Sequence, residues 1–212
     1  MITEWGIDGP WEGTRQTAWS AYIEPTSTKK AEQYTAKYKA QMPVDDPRFL
    51  GSFIFYWGQK QETTQTWFSL FDENGFKTGA VASAQYLWTG NWPANEAPQI
   101  KYMLVDAKGA NDNILYEPNQ KANAEVFMLK PGHNIIKIQW QIFQEDWYKK
   151  DNINNTNKPI EIAGLITQKN ELKATFITPA KAGPYRIFAN LYDNYGNMAT
   201  CNTPFYVVAN NQ

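Results

Sequence analysis

The stretch LGSFIFYWGQKQETTQTWFSLF, residues 50–71, is the most informative part of this chain. Its first part, Gly51 to Trp57, stays apolar instead of alternating. A short apolar run rich in aromatic and β-branched residues predicts a strand buried on both faces, as in a parallel sheet covered by helices. Gly58 ends the strand. The chain then turns polar over Gln59, Lys60, Gln61, Glu62, Thr63, Thr64, Gln65 and Thr66 before Trp67 and Phe68. The strand therefore delivers Trp57 to its C-terminal end among amides, hydroxyls and one charge of each sign. In α/β architectures ligands sit at that end of the strands. A flat aromatic face ringed by amides and hydroxyls suits a sugar: C–H faces stack on the ring, and neutral polar groups take the hydroxyls. A core strand ending in a packed Trp, followed by a solvated loop, has the same pattern.

Upstream, Ile2 to Gly6 (ITEWG) reads as the end of a strand, and Gly6 to Tyr22 as a loop rich in Gly and Trp. Irregular segments of that length are usually functional. Thr26 or Ser27 caps a helix over Thr28 to Gln41, with Ala31, Tyr34, Thr35 and Tyr38 at the i, i+3, i+4, i+7 spacing of an inward face. Prolines 43 and 47 break it. Downstream, a turn at Asp72 to Gly75 precedes a second helix over Thr78 to Trp88, with Val81, Ala84, Gln85 and Trp88 on one side. The order strand, long loop, helix, twice over, predicts two β/α units and a parallel sheet.

Residues 90–98 hold a glycine, two prolines and small polar residues, which mark a linker. Beyond it the apolar period becomes two. Strands are predicted over Gln99 to Leu104, Lys121 to Leu129, Asn134 to Phe143, Glu171 to Thr178, Pro184 to Tyr192 and Met198 to Val208. Ile136, Ile138, Trp140 and Ile142 share one face, as do Tyr185, Ile187, Ala189 and Leu191. Turns fall at 130–132, 181–183 and 193–197. Short strands at this spacing, with a Trp in a central one, predict an immunoglobulin-like sandwich. Asp151 to Pro159 reads as an exposed loop, with a glycosylation sequon at Asn154.

A formal net charge of −1 over 212 residues leaves no general pull toward nucleic acid or anionic membrane. No apolar run approaches the ~20 residues of a membrane span, and no signal-peptide pattern follows Met1. The single cysteine, Cys201, and the single histidine, His133 in a turn, exclude an internal disulfide, a multi-Cys zinc site and a multi-His metal site. No metal or cofactor is predicted. The aromatic fraction of 15%, with 9 Trp in an amide-rich, nearly neutral chain, points to carbohydrate handling.

The motifs Glu4-Trp5-Gly6, Gly51 to Gly58, Gln59 to Thr63 with Trp67, and Tyr86 to Gly90 resemble bacterial family-2-like (β/α)8 glycoside hydrolases that carry a C-terminal β-sandwich. Gly183 to Arg186, Asp193 to Asn197 and Pro204 to Val207 resemble the closing strands of that sandwich. The resemblance implies an α/β plus all-β fold: the last two β/α units of an incomplete TIM barrel (1–92), then an immunoglobulin-like β-sandwich (93–212). It implies Glu4 as the nucleophile of a retaining, double-displacement hydrolase and Trp57 at the subsite beside the scissile bond. The partner acid, ~5–5.5 Å from the nucleophile, would lie in a missing part of the barrel upstream of Met1, leaving this chain inactive alone. Candidate substrate contacts are Trp57, Trp5, Trp11, Trp67, Gln59, Lys60 and Glu62. Trp11, Trp19 and Trp67 are candidates for sugar platforms or for loop packing, and Lys60 and Glu62 for a loop ion pair. Glu12 and Glu24 lie in or near the long loop. The implied partner is a carbohydrate substrate, with no nucleic acid and no membrane, in the periplasm or outside the cell. The alternative is a non-catalytic carbohydrate-binding or accessory module.

Overall fold

The computed structural model describes residues 1–130, 134–146 and 158–209. The predicted turn holding His133, and most of the 151–159 segment with its sequon, lie outside these residues. The elements in order are β1 (Ile2–Trp5), α1 (Ser27–Gln41), β2 (Ser52–Ile54), α2 (Gly79–Thr89), β3 (Ile100–Val105), β4 (Leu115–Tyr116), β5 (Lys121–Met128), β6 (Ile135–Gln144), β7 (Ile166–Asn170), β8 (Lys173–Ile177), β9 (Gly183–Asp193) and β10 (Met198–Val207). Two four-stranded sheets, β4-β10-β9-β6 and β3-β5-β8-β7, form a sandwich, and β1 and β2 form a separate parallel pair. The sandwich orders correspond to the CFG and ABED sheets of constant-type immunoglobulin domains, with β4 added beside β10.

This corrects the expected fold class. The described chain is predominantly β, a β-sandwich with two helices and a short strand pair packed against it, and not two β/α units of a TIM barrel followed by a sandwich. Strands β1 and β2 are only four and three residues long. The apolar run 51–57 is not a doubly buried strand. Tyr56 takes φ 55°, a left-handed conformation that ends the strand. Phe53 is 60% exposed and Trp57 54%. Apolarity showed that the run avoids water on average, but not which rings find cover.

Helix α1 starts where Thr26 Oγ1 accepts from Lys29 N at 3.2 Å, an N-cap. It packs on α2 where a Cβ at Gly79 would come within 3.3 Å of Ala31 Cβ. Helix α2 ends at Gly90, whose φ of 75° suits the C-cap. Its buried residues are Ala80, Ala82, Ser83 and Ala84, so the expected face through Gln85 and Trp88 is wrong: both are exposed. Small residues let α2 sit close to its neighbours, and the large Trp88 ring is left outside.

Two apolar cores result. One, inside the sandwich, holds Trp140, Phe176, Tyr185, Ile187, Leu191 and Phe205 among others. A register shift between Ile135 and Lys137 turns Ile136 outward, to 60% exposure, against the expected alternation. The other gathers Trp5, Tyr34, Ile54, Trp67, Phe68 and Leu70. Between them, the outer face of β9 and β10 is also buried. It is covered by the segments around residues 17–30 and 59–78, through bonds such as Thr200 N to Ser27 Oγ (2.9 Å) and Lys77 N to Gly196 O (2.9 Å).

Candidate functional site

Exposed aromatic rings gather at the end of β2. Trp57 is held on two sides: Phe71 meets it edge-on at 5.4 Å and 69°, and Trp88 lies at 5.6 Å and 33°. Trp88 is itself 48% exposed. Gly58 O accepts from Leu70 N at 3.0 Å and Phe71 N at 3.3 Å, so the chain leaving Trp57 is pinned to the segment carrying Phe71. The ridge is therefore ordered and half open, the arrangement expected of a surface that binds something flat and partly apolar.

The left-handed Tyr56 turns the chain between neighbouring rings, and a second cluster forms around Lys60. Its ammonium lies 4.5 Å from the Phe55 ring centre and 5.6 Å from that of Tyr56, and pairs with Glu62 at 2.7 Å. Lys60 and Glu62 thus neutralise each other over an aromatic bed. Trp11, 63% exposed, tilts over Phe68 at 6.1 Å. Gln59 lines a cavity behind Phe71.

Trp5 ends β1 and Trp67 follows the 59–66 loop, but neither is free to touch a ligand. Trp5 is buried against Tyr34 and Tyr38. Trp67 is 1% exposed and donates from Nε1 to Asp8 O at 3.1 Å. Both serve the second core, because each lies on the side of its strand or loop that faces α1 or the long loop. Trp19 packs on Tyr206 at 5.7 Å. Glu12 accepts from Gly9 N, closing its own turn. Glu4 is exposed, and its carboxylate makes no hydrogen bond or ion pair with a described residue.

Glu24 has the opposite environment. It is buried with Lys30, and its carboxylate also accepts from Thr64 Oγ1 at 2.6 Å, Thr66 Oγ1 at 2.8 Å and Asn202 Nδ2 at 2.7 Å. Asn202 Oδ1 accepts from Arg186 Nη1 at 2.6 Å, and Arg186 Nε donates to Glu145 Oε1 at 2.6 Å. Burial alone raises the Glu24 carboxyl, but the Lys30 charge, the bonds from Lys30 and Thr64, and Arg186 outweigh it and hold the pKa below the ordinary value. This lattice joins α1, the 59–67 loop and the outer sheet face. Every member is satisfied by another, so it reads as structural. Among the described residues, no group of three or more His, Cys, Asp or Glu is placed to hold a metal ion.

No family profile matches the chain, and no curated protein matches it. Among solved structures, it is similar to the endo-β-1,4-mannanase from Thermotoga petrophila at 12% identity and a TM-score of 0.32. The match covers 98% of this chain and 38% of the mannanase chain. At that score the likeness carries no argument about fold or activity.

Proposed function

We propose that this protein binds carbohydrate, without cleaving it, on the Trp57–Trp88 ridge. The observation that supports this reading is that Trp57 is about half exposed while its ring is fixed between Phe71 and Trp88. A pre-ordered ring loses little entropy on binding. Its open face suits the C–H face of a sugar, and the half-buried Gln59 amide two residues on suits a hydroxyl. The absence of a basic stripe in a chain of net charge −1 argues against nucleic acid as the stacking partner. The test is native electrophoresis of the intact chain through gels containing β-mannan, xylan or mixed-linkage β-glucan. Retardation by at least one polysaccharide, lost in Trp57→Ala, is the expected result. Equal mobility in all gels would remove the ridge reading.

The catalytic alternative makes Glu4 the nucleophile of a retaining glycoside hydrolase. That chemistry needs an ionised carboxylate held rigidly opposite a second carboxyl ~5–5.5 Å away, and no described group orients Glu4. Release of reducing ends from the same polysaccharides, abolished by Glu4→Gln, would restore it. A different class of partner is favoured by Leu50 and Phe53, which are 83% and 60% exposed beside the open edges of the β1–β2 pair. Apolar side chains next to unpaired strand edges are a protein-contact surface. Concentration-dependent sedimentation, shifted by Phe53→Ser and not by Trp57→Ala, would support that second reading.

A further inference from the structure

Among the described residues, Trp11 is the most exposed tryptophan, at 63%. Its ring is nevertheless held in place. A Cβ at Gly9 would stand 2.5 Å from Trp11 Cε2, 2.6 Å from Cζ2 and 3.0 Å from Cδ2. The indole therefore rests on the bare backbone of Gly9, and a larger residue there would displace it. The turn beneath it is closed from both ends. Gly9 N donates to Glu12 Oε2 at 2.5 Å, while Glu12 N and Thr14 Oγ1 donate to Gly9 O at 3.0 and 3.3 Å. The ring also meets the buried Phe68 at 6.1 Å. A single exposed ring needs no ligand to explain it. What distinguishes Trp11 is the path of rings that joins it to the ridge.

Phe68 meets Phe55 edge-on at 5.0 Å, and Phe55 meets Tyr56 at 6.4 Å. Tyr56 is half exposed, and Trp57 follows it in the chain. Lys60 lies over three of these rings, its ammonium 4.5 Å from the centre of Phe55, 5.6 Å from Tyr56 and 5.9 Å from Phe68. It thus spans the interval between Tyr56 and the Phe68 that backs Trp11. The charges here are paired: Lys60 with Glu62 at 2.7 Å, Lys37 with Asp8 at 2.5 Å beside Gly9, and the Glu12 carboxylate with Gly9 N. These pairings make the band neutral, which suits an uncharged chain.

We propose that the ligand of the ridge is one linear, uncharged polysaccharide chain that runs from Trp57 past Tyr56 and Lys60 to Trp11, where a second sugar ring stacks. The proposal rests on the ridge reading and adds to it a second contact residue and a ligand class, a polymer and not a free sugar. An exposed platform covers one face of a sugar and leaves the rest in water, whereas tight small-ligand sites enclose most of the ligand surface. Two platforms on one chain make the second contact intramolecular, so affinity grows with chain length until both are covered.

The test is titration calorimetry of the intact chain with the disaccharides and hexasaccharides of β-1,4-mannan, β-1,4-xylan and mixed-linkage β-glucan, and with polygalacturonate as an anionic polymer. At least one hexasaccharide should bind, about tenfold or more tighter than its disaccharide. Trp11→Ala should weaken the hexasaccharide about tenfold, the cost of truncating one contact residue, and leave any disaccharide binding unchanged. Trp11→Tyr keeps a ring and should retain most of the affinity. Trp57→Ala should abolish both. Trp11→Ala should unfold at the parental thermal midpoint, as a surface substitution does. Parental hexasaccharide affinity in Trp11→Ala, with loss in Trp57→Ala, overturns the second subsite and leaves the ridge standing. Equal affinity for disaccharide and hexasaccharide, or tighter binding of polygalacturonate, overturns the uncharged polymer. A lowered midpoint in Trp11→Ala makes the ring part of the fold and removes it from the ligand site. No binding by the parent protein removes the ridge and the polymer together.

Discussion

The interior of the sandwich and the seam on its outer face are both largely buried, and strand β9 builds both. Tyr185, Ile187, Ala189 and Leu191 face the interior, while Arg186, Phe188, Asn190 and Tyr192 face the seam. The interior is held by contact that has no preferred direction. The seam is held by bonds that do: Glu145 to Arg186, Arg186 to Asn202, Asn202 to Glu24, and Glu24 to Lys30. A buried network of this kind adds little net stability over an apolar replacement, but losing any one member is expensive. The contrast suggests a division of work. The interior makes the sandwich stable, and the seam selects one position for the α1, α2 and 59–78 layer lying on it.

Breaking one seam bond is the most direct attack on that comparison. Arg186→Met strands the Glu145 carboxylate in a buried site and should cost about 3–5 kcal/mol in urea unfolding. The double variant Glu145→Met/Arg186→Met should recover most of the loss. In the interior, Ile187→Val should cost only about 1 kcal/mol. If Arg186→Met cost no more than Ile187→Val, the distinction between the two regions would disappear.

The same lattice should give the protein an acid limb. The Glu24 carboxyl has its pKa held below the ordinary 4.5. A depressed carboxyl contributes stability that is fully present above the unfolded value and lost as pH falls through the folded one. Stability should therefore decline on acidification below pH 4.5, by up to ~1.4 kcal/mol per pH unit for one proton. Glu24→Gln, already weakened at neutral pH because Lys30 is left buried without its charge partner, should lack this part of the slope. Parallel acid limbs in the two proteins would take Glu24 out of the account.

Much of the sandwich was legible from local pattern. Alternation located β5, β8, β9 and β10 to within a residue or two, and the Thr26 cap located α1. What escaped was set by distant partners. Strand β4 is two residues paired in parallel with the end of β10, and β7, ITQKN, carries almost no alternation. The even-numbered positions of β9, Arg186, Phe188, Asn190 and Tyr192, do not announce the layer that covers them, because a buried polar ladder and a wet one have the same sequence. The run 51–57 failed for the converse reason, since an apolar pattern does not say whether cover exists. At the candidate site, Trp57 was visible as an aromatic among amides. Its supports Phe71 and Trp88 were not, and the rings between it and Trp11 meet only through the fold.

Two tryptophans ten residues apart sharpen the comparison further. Trp67 fills the second core, so Trp67→Phe, which deletes the bond to Asp8 O and part of the ring, should cost roughly 1–2 kcal/mol. Trp57 lies at the opposite extreme. Its open face makes no contact, and the contacts with Phe71 and Trp88 occupy a surface already wet. Trp57→Ala should change stability by less than about 0.5 kcal/mol, as surface substitutions do, while abolishing retardation in polysaccharide gels. A loss of 2 kcal/mol or more in urea, on the order of a core truncation, would mean that the Trp57 ring supports the fold. The ridge would then be packing that happens to be exposed, and the reason for assigning it a ligand would be gone.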